Sequence, residues 1–343
     1  MKKINVALLF GGRSAEHEVS LNSARNIAAA IDKNKFNLVL MGLSKSGSWY
    51  LLNEVGSYKS LIDAELSQKF PSIGFTFKNG KARLFNTSTN DDILVDIAFP
   101  ILHGTFGEDG CVQGFFKMLN IPCVGCGVLS SAAGMDKDVM KKIFTHAGIP
   151  NSPYVLVRPW QPHSYKELCE KLGSPFFIKP ANAGSSVGVH KIKSEQDYET
   201  KLKDAFLYDS KVIAEKFIPG REIEISVLGL SHSPKVSEPG EIRVLHEFYS
   251  YEAKYLDEQG AEIIIPAILS EATKNQVKAL AAKAYTAINA SGFARIDFFV
   301  QESGEIYLNE INTLPGFTNV SMFPKMWEAT GLKYSDLITK IVD

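Results

Sequence analysis

Long apolar runs are missing from this chain, and none of its 343 residues lies in a stretch long enough to cross a bilayer as a helix. The opening Met1-Lys-Lys and the apolar residues 4–10 imitate a secretory leader, but Gly11-Gly12-Arg13 ends the run without a cleavage-like site, so a first β-strand is the expectation. Cysteine is scarce. Four are present, and Cys123-Val-Gly-Cys126 has neither a second C-x-x-C nor a well-spaced histidine to complete a zinc site, which leaves reduced thiols and a cytoplasmic setting. Charge of one sign is also lacking: 37 basic against 38 acidic residues give a formal net charge of -1, so neither nucleic acid nor a membrane surface is implied as partner. No G-x-x-x-x-G-K-[ST] loop and no G-x-G-x-x-G fingerprint occurs, and there is no internal repeat or low-complexity segment. A nicotinamide dehydrogenase, which strand-then-Gly11-Gly12 alone would suggest, fails on the absent third glycine and on Glu16 standing where a dinucleotide phosphate would approach.

What is present is an ordinary globular composition, 45% hydrophobic and 22% charged, in a chain long enough for two or three domains. Residues 6–10, then Ala24, Ile27, Ala28 and Ile31 at helical spacing, then residues 38–43, read as a βαβ opening, so a parallel sheet follows. A later strand over 95–99 runs into Pro100-Ile-Leu-His103-Gly-Thr-Phe-Gly-Glu108-Asp109-Gly110 before a helix starting near Val112. Ligands of open α/β sheets bind beyond such strand ends, which directs attention to residues 11–18 and 103–110. Small residues over 125–134 mark a boundary. Beyond it the pattern predicts helices over 137–148, 164–171, 195–206 and 271–290, strands over 175–179, 189–193, 211–217, 221–228 and 241–247, and a polar loop over 248–261.

Near the end, residues 293–300 and 306–312 read as two strands joined by Gln301-Glu-Ser-Gly304. With Val300 opposite Glu305, alternation would put Arg295, Asp297, Phe299, Ile306, Leu308, Glu310 and Asn312 on one side. Carboxylate and amide oxygens suit a hard cation such as Mg²⁺, and a guanidinium beside them suits phosphate or an oxyanion; a solvated polar face fits the pattern equally well. Lys179-Pro-Ala-Asn-Ala-Gly184-Ser185-Ser186-Val187-Gly188 links two predicted strands, either as a phosphate-covering flap or as a plain hairpin turn. Glu215-Lys216-Phe-Ile-Pro-Gly220-Arg-Glu222 reads as a nucleoside-binding edge or as a charged strand and turn.

Taken in order, Lys137, Lys179, the 184–188 loop, Glu215-Lys216, Asp297 and Glu310-x-Asn312 resemble the ATP-grasp superfamily. Gly11-Gly12-Arg-Ser-Ala-Glu16-His-Glu18-Val-Ser20, His103-Gly-x-x-Gly-Glu108-Asp109-Gly110 and Asn312-Thr-Leu-Pro-Gly316-Phe-Thr are similar to the signatures of D-alanine:D-alanine ligases, over essentially the whole chain. The resemblance implies an α/β protein with a three-part ATP-grasp fold: an N-terminal parallel-sheet domain over 1–125, a central subdomain over 126–214 and a catalytic subdomain over 215–343. It implies a cytoplasmic homodimer that joins two D-alanines with ATP for cell-wall synthesis, using two Mg²⁺ ions for which Mn²⁺ can substitute. Asp297, Glu310 and Asn312 would hold the metal; Lys137, Lys179, Ser186 and Lys254 would contact phosphates; Glu215 and Lys216 would face adenine and Glu222 the ribose. Arg295 and the Gly316 N–H would stabilise the oxyanion. Glu16 would hold the first D-alanine's ammonium with His103 near its carboxylate, and Ser321 and Met322 would bound the second subsite. Tyr255 would bond Ser185 and, through it, Glu16; its presence favours a dipeptide over D-alanyl-D-lactate, and D-alanine over D-serine. His17, between two glutamates, reads as solvated or supporting. The alternatives are a D-serine or D-lactate ligase and a catalytically silent nucleotide-binding regulator.

Overall fold

The computed structural model describes residues 2–53, 69–78, 81–244 and 261–343. Lys254 and Tyr255, with most of the expected polar loop, lie outside these residues. The chain divides into two compact units, one of Met1–Ser131, Ala290–Ala294 and Thr313–Asp343, the other of Ala132–Asn289 and Arg295–Asn312.

The first unit is built on a four-stranded sheet in the order Trp49–Leu52, Phe36–Leu43, Ile4–Gly11, Ile97–Pro100. The strand Ile4–Gly11 runs parallel to both of its neighbours, as the βαβ reading requires, while Trp49–Leu52 closes one edge antiparallel. Val6 to Phe10 are fully buried, the continuous apolar run expected of a parallel strand covered on both faces. Helix His17–Ala30 buries Leu21, Ala24 and Ile27, three residues apart and so on one stripe. Ser20 on that helix accepts the Gly11 N–H and donates to the Ile101 carbonyl, tying the helix start to the ends of two strands. A small antiparallel sheet of Ile73–Lys78, Lys81–Asn86 and Asp92–Ile93, not expected from the sequence, belongs to the same unit. Phe293, Phe317 and Phe323 pack edge-on or tilted at centroid distances of 5.4–5.7 Å, and Phe99 joins them, which is why the late segments 290–294 and 313–343 return to this unit.

In the second unit an antiparallel sheet runs His190–Ile192, Phe176–Pro180, Val212–Lys216, Tyr154–Val157. Helices Tyr165–Leu172 and Glu195–Ala205 cover it around Phe176, Ile178, Leu168 and Tyr198. Helix Lys137–His146 begins as predicted, because the Asp136 carboxylate accepts the Asp138 and Val139 N–H groups. A larger sheet orders Ala261–Ile264, Gly240–Val244, Arg221–Gly229, Gly292–Val300 and Ile306–Asn312, with Lys235–Val236 paired to Arg221–Gly229 and helix Glu271–Ala287 packed against it.

The hairpin forms, but not in the assumed register. Val300 pairs with Ile306 rather than Glu305, and the register shifts again so that Phe298 faces Leu308 while Asp297 faces Glu310. One extra residue, Asn309, is accommodated in a bulge. Ile306 and Leu308 therefore turn into the core with Val300 and Phe298, not toward Phe299, while Arg295, Asp297, Glu310 and Asn312 still share a face. Apolar burial sets the first half of the ladder, and the bulge restores the polar set beyond it.

Candidate functional site

Within the second unit, the polar end of the hairpin is a dense charge cluster. Arg295 lies directly opposite Asn312 and Asp297 opposite Glu310. The Arg295 guanidinium donates from Nε to Asp297 Oδ1 at 2.8 Å and from Nη2 to Oδ2 at 2.7 Å, a fork-to-fork pair, and Glu224 Oε2 on the neighbouring strand lies 3.0 Å from Nε. Burial opposes the arginine's charge, but Asp297, Glu224 and Glu310 together outweigh it and hold the guanidinium well above its ordinary range. Three carboxylates thus face one guanidinium, a formal excess of two negative charges. Such a set, with two opposed carboxylates and an amide two residues on, fits divalent hard cations bearing phosphate oxygens. Among the described residues no group of three His, Cys, Asp or Glu could hold a metal by itself, so a cation here would need the Asn312 amide and ligand oxygens as well.

A second cluster lies on the other sheet of this unit. Glu215 is 2% exposed, with Oε1 3.2 Å from Lys141 Nζ and Oε2 3.1 Å from Lys179 Nζ. Burial would raise its pKa, yet the two ammonium groups pull it down to about 2. Lys179 Nζ also lies 3.5 Å from Oδ1 of Asn309, the bulge residue. Lys137 donates to the Ala183 carbonyl at 2.6 Å, at the root of the flap. In the flap Ser185, Ser186 and Gly188 take φ of 50°, 59° and 66°, left-handed values that turn backbone groups toward one side. Gly188 is required there, since a Cβ would lie 2.7 Å from the Tyr208 ring. The Ser185 hydroxyl is buried with no hydrogen-bond partner among the described residues. Lys216 is exposed and its N–H is taken by the Pro153 carbonyl, while Glu222 is half-buried opposite Ile242.

In the first unit Glu16 is the residue capping helix His17–Ala30, 8% exposed, with its N–H on Ser14 Oγ at 3.2 Å. Its carboxylate is thus near the positive end of a helix. Ser14 donates to the His103 carbonyl at 2.6 Å, and a Cβ on Gly104 would approach Glu16 Oε2 to 2.9 Å, so the signature glycine makes room for the glutamate. His17 is buried, its Nδ1 2.7 Å from the Gly12 carbonyl, and burial lowers its pKa; of the two expectations the supporting one holds.

His103 is 3% exposed, and both of its ring nitrogens are engaged. Nδ1 faces the Leu314 carbonyl at 3.1 Å and Glu108 Oε1 at 3.7 Å, which makes it the protonated nitrogen; Nε2 lies 3.2 Å from Ser23 Oγ. Burial disfavours the imidazolium, but Glu108 and Glu16 raise the His103 pKa, and burial raises that of Glu108. Ser23 Oγ also accepts the Phe317 N–H at 3.2 Å, while the Phe317 carbonyl accepts from Asn26 and Tyr334, each at 3.0 Å. The loop carrying Gly316 is therefore clamped from several sides. Ser321 Oγ accepts the Thr318 N–H at 2.9 Å and would be 2.7 Å from a Cβ on Gly316; Met322 is 5% exposed in the core.

The sequence reading missed Lys141, Glu224, Ser23 and Asn309. Lys141 was detectable, since it falls with Lys137, Met140 and Phe144 on one helical stripe, a lysine among apolar positions. Asn309 depended on the bulge and left no signal.

A family model described as the D-ala D-ala ligase N-terminus matches residues 5–126, and one described as the D-ala D-ala ligase C-terminus matches 143–343. D-alanine–D-alanine ligase A of Escherichia coli strain K12 is 44% identical, the alignment covering 100% of this chain and 96% of that protein. The D-alanine–D-alanine ligase of Shouchella clausii is 45% identical over 100% and 95% of the two chains. Among solved structures, the VanG D-Ala:D-Ser ligase from Enterococcus faecalis superposes with a TM-score of 0.88 at 35% identity over 99% of each chain. The D-alanine-D-alanine ligase from Coxiella burnetii gives 0.85 at 35% identity, over 99% of this chain and 94% of that one. Sharing both halves of the family description and more than two fifths of its residues with full-length relatives, the chain belongs to the D-alanine–D-alanine ligase family and has its ATP-grasp fold.

Proposed function

We propose that the protein is an ATP-dependent ligase that joins two D-alanines into D-alanyl-D-alanine for peptidoglycan precursors. The observation that carries the mechanism is the hairpin face on which Arg295, Asp297, Glu310 and Asn312 meet. A carboxylate is a poor acyl donor because its leaving group would be oxide. Transfer of the ATP γ-phosphoryl to the first D-alanine gives an acyl phosphate, the second D-alanine's amine attacks that carbonyl, and phosphate leaves from a tetrahedral intermediate. Each step relocates negative charge, so positioned cations and N–H donors are the main need.

Asp297, Glu310 and Asn312 are the residues that would hold Mg²⁺, which when bound screens the phosphate charges. Lys137, Lys179 and Ser186 bind phosphates, joined by Lys254 outside the described residues; Glu215 and Lys216, at the end of an interior strand, face adenine and Glu222 takes the ribose. Arg295 and the Gly316 N–H stabilise the oxyanion. Glu16 anchors the first substrate's ammonium, and the Ser14 and Gly104 contacts that fix its backbone and leave room for its carboxylate support this role. His103 acts near the first carboxylate by holding the 313–317 loop through Leu314, since both ring nitrogens already have partners. Ser185 and Tyr255, the latter outside the described residues, are assigned as the closing pair, and the Ser185 hydroxyl, without a partner among the described residues, fits that assignment. Ser321 and Met322 border the second subsite. We further assign the three-part division 1–125, 126–214 and 215–343, a cytoplasmic location and a homodimer on the family resemblance.

A D-serine acceptor is the second reading, favoured by the likeness to the Enterococcus faecalis D-Ala:D-Ser ligase. Purified protein with ATP, Mg²⁺ and D-alanine should release phosphate. Absence of release, or equal release with L-alanine, would refute the proposal.

A further inference from the structure

Lys141 is 1% exposed on helix Lys137–His146, where the neighbouring inward positions are Met140 and Phe144. A buried ammonium is costly, and an apolar residue would serve packing better. Burial lowers the Lys141 pKa, and the Glu215 carboxylate 3.2 Å away opposes that shift. Its hydrogen bonds go to the Ser152 carbonyl at 3.2 Å and to Glu215 Oε1 at 3.2 Å. The other Glu215 oxygen, Oε2, is 3.1 Å from Lys179. One carboxylate thus bridges two ammonium groups, and Lys179, the more accessible at 14% of its side chain against 1%, is the one that can meet a ligand.

Charge accounting gives this arrangement a purpose. Lys179 and Glu215 alone would sum to zero, and the buried carboxylate would cancel the attraction of the lysine for any anion. Lys141 offsets the carboxylate, so the trio keeps one positive charge at its accessible end. When an anion draws on Lys179, Glu215 still has a partner and does not become an unpaired buried charge.

We propose that Lys141 is a positioning residue for nucleotide binding, acting through Glu215 to keep Lys179 both aimed and electrically free for a phosphate. The inference rests on the reading of Lys179 as a phosphate ligand. It differs from a packing role in what it predicts for the two ends of the nucleotide: without Lys141, Glu215 stays in place, held by Lys179, so the adenine side is kept, while Lys179 is neutralised and the phosphates lose their cation.

Calorimetric titration of the full chain with ADP and with adenosine tests it. Lys141→Met should weaken ADP binding at least about tenfold, equivalent to about 1.4 kcal/mol. Adenosine binding should change by less than about threefold, and Lys141→Arg, which keeps the charge, should stay within about threefold of wild type for ADP. Should Lys141→Met not fold, Lys141→Gln, which removes the charge but keeps a polar donor, carries the same expectation. Unchanged ADP affinity in a folded variant, or equal losses for ADP and adenosine, would overturn the proposal. Failure of the wild-type chain to bind ADP at all would instead remove the reading on which the proposal rests.

Discussion

Ser23→Ala is the substitution whose consequence the structure makes most calculable. Ser23 is fully buried, and its hydroxyl is at once the partner of His103 Nε2 at 3.2 Å and the acceptor for the Phe317 N–H at 3.2 Å. Alanine fits the space with almost no cavity, so the cost is electrostatic. Two buried polar groups lose their partner, at about 1–3 kcal/mol each, and both bonds are at the long end of the range, so about 3 kcal/mol in total is expected. For a unit of this size that lowers the melting temperature by roughly 5–10 °C. Scanning calorimetry on the purified variant reads this directly. ADP affinity should not change, because the proposed nucleotide ligands Lys137, Lys179 and Glu215 belong to the other unit, whereas kcat should fall as the loop carrying Gly316 loses one of the hydrogen bonds that hold it. A variant melting within about 1 °C of wild type with unaltered kcat would refute the argument that Ser23 joins His103 to the 313–317 loop.

Asp297→Asn or Glu310→Gln should abolish phosphate release with the circular dichroism spectrum nearly unchanged, Asp297→Asn at some loss of melting temperature because it breaks the fork-to-fork pair with Arg295; near-normal activity in either would count against the metal assignment. Glu215 has a folded pKa held down to about 2, so the stability it contributes is complete above the ordinary carboxylate range and is lost as pH falls toward 2. Glu215→Gln should therefore flatten the fall of urea-unfolding stability between about pH 4.5 and 2, and an unchanged slope would contradict the buried ion pair. Burial pushes the Cys123 and Cys126 thiols up to about 12. Iodoacetamide at neutral pH should leave buried Cys126 unmodified in the native protein by mass spectrometry and label half-buried Cys123 more slowly than exposed Cys111, and rapid labelling of Cys126 would show the core there to be open. Gly104→Ala would place a Cβ 2.9 Å from Glu16 Oε2 at a φ of 73°. It should raise the KM for D-alanine about tenfold without changing ADP affinity, and an unaltered KM would remove Glu16 from the substrate site.

Much of this was legible in the sequence because period and punctuation agreed. Residues 6–10 are apolar without interruption and end at Gly11-Gly12, so a buried parallel strand and its turn could be read together. The small antiparallel sheet of residues 73–93 was not, for its strands are short and their alternation weak. At the hairpin, composition identified the strands and the polar set, but the assumed register failed at Ile306 and Leu308 because Glu305 belongs to the turn, and the polar set is recovered only by a bulge, which is a property of the pair and not of either strand. Signatures also drew attention to residues with unusual spacing while hiding those that support them. Ser23 and Lys141 look ordinary in sequence, and only their burial beside His103 and Glu215 discloses their part.

Product identification bears most directly on the central claim. Purified protein, ATP and Mg²⁺ should be supplied with D-alanine, D-serine, D-lactate and L-alanine in competition, and the products separated and weighed by mass spectrometry. D-alanyl-D-alanine should dominate, with one ADP and one phosphate formed per dipeptide. ATP left intact, a product containing L-alanine in equal amount, or a depsipeptide as the main product would contradict the account.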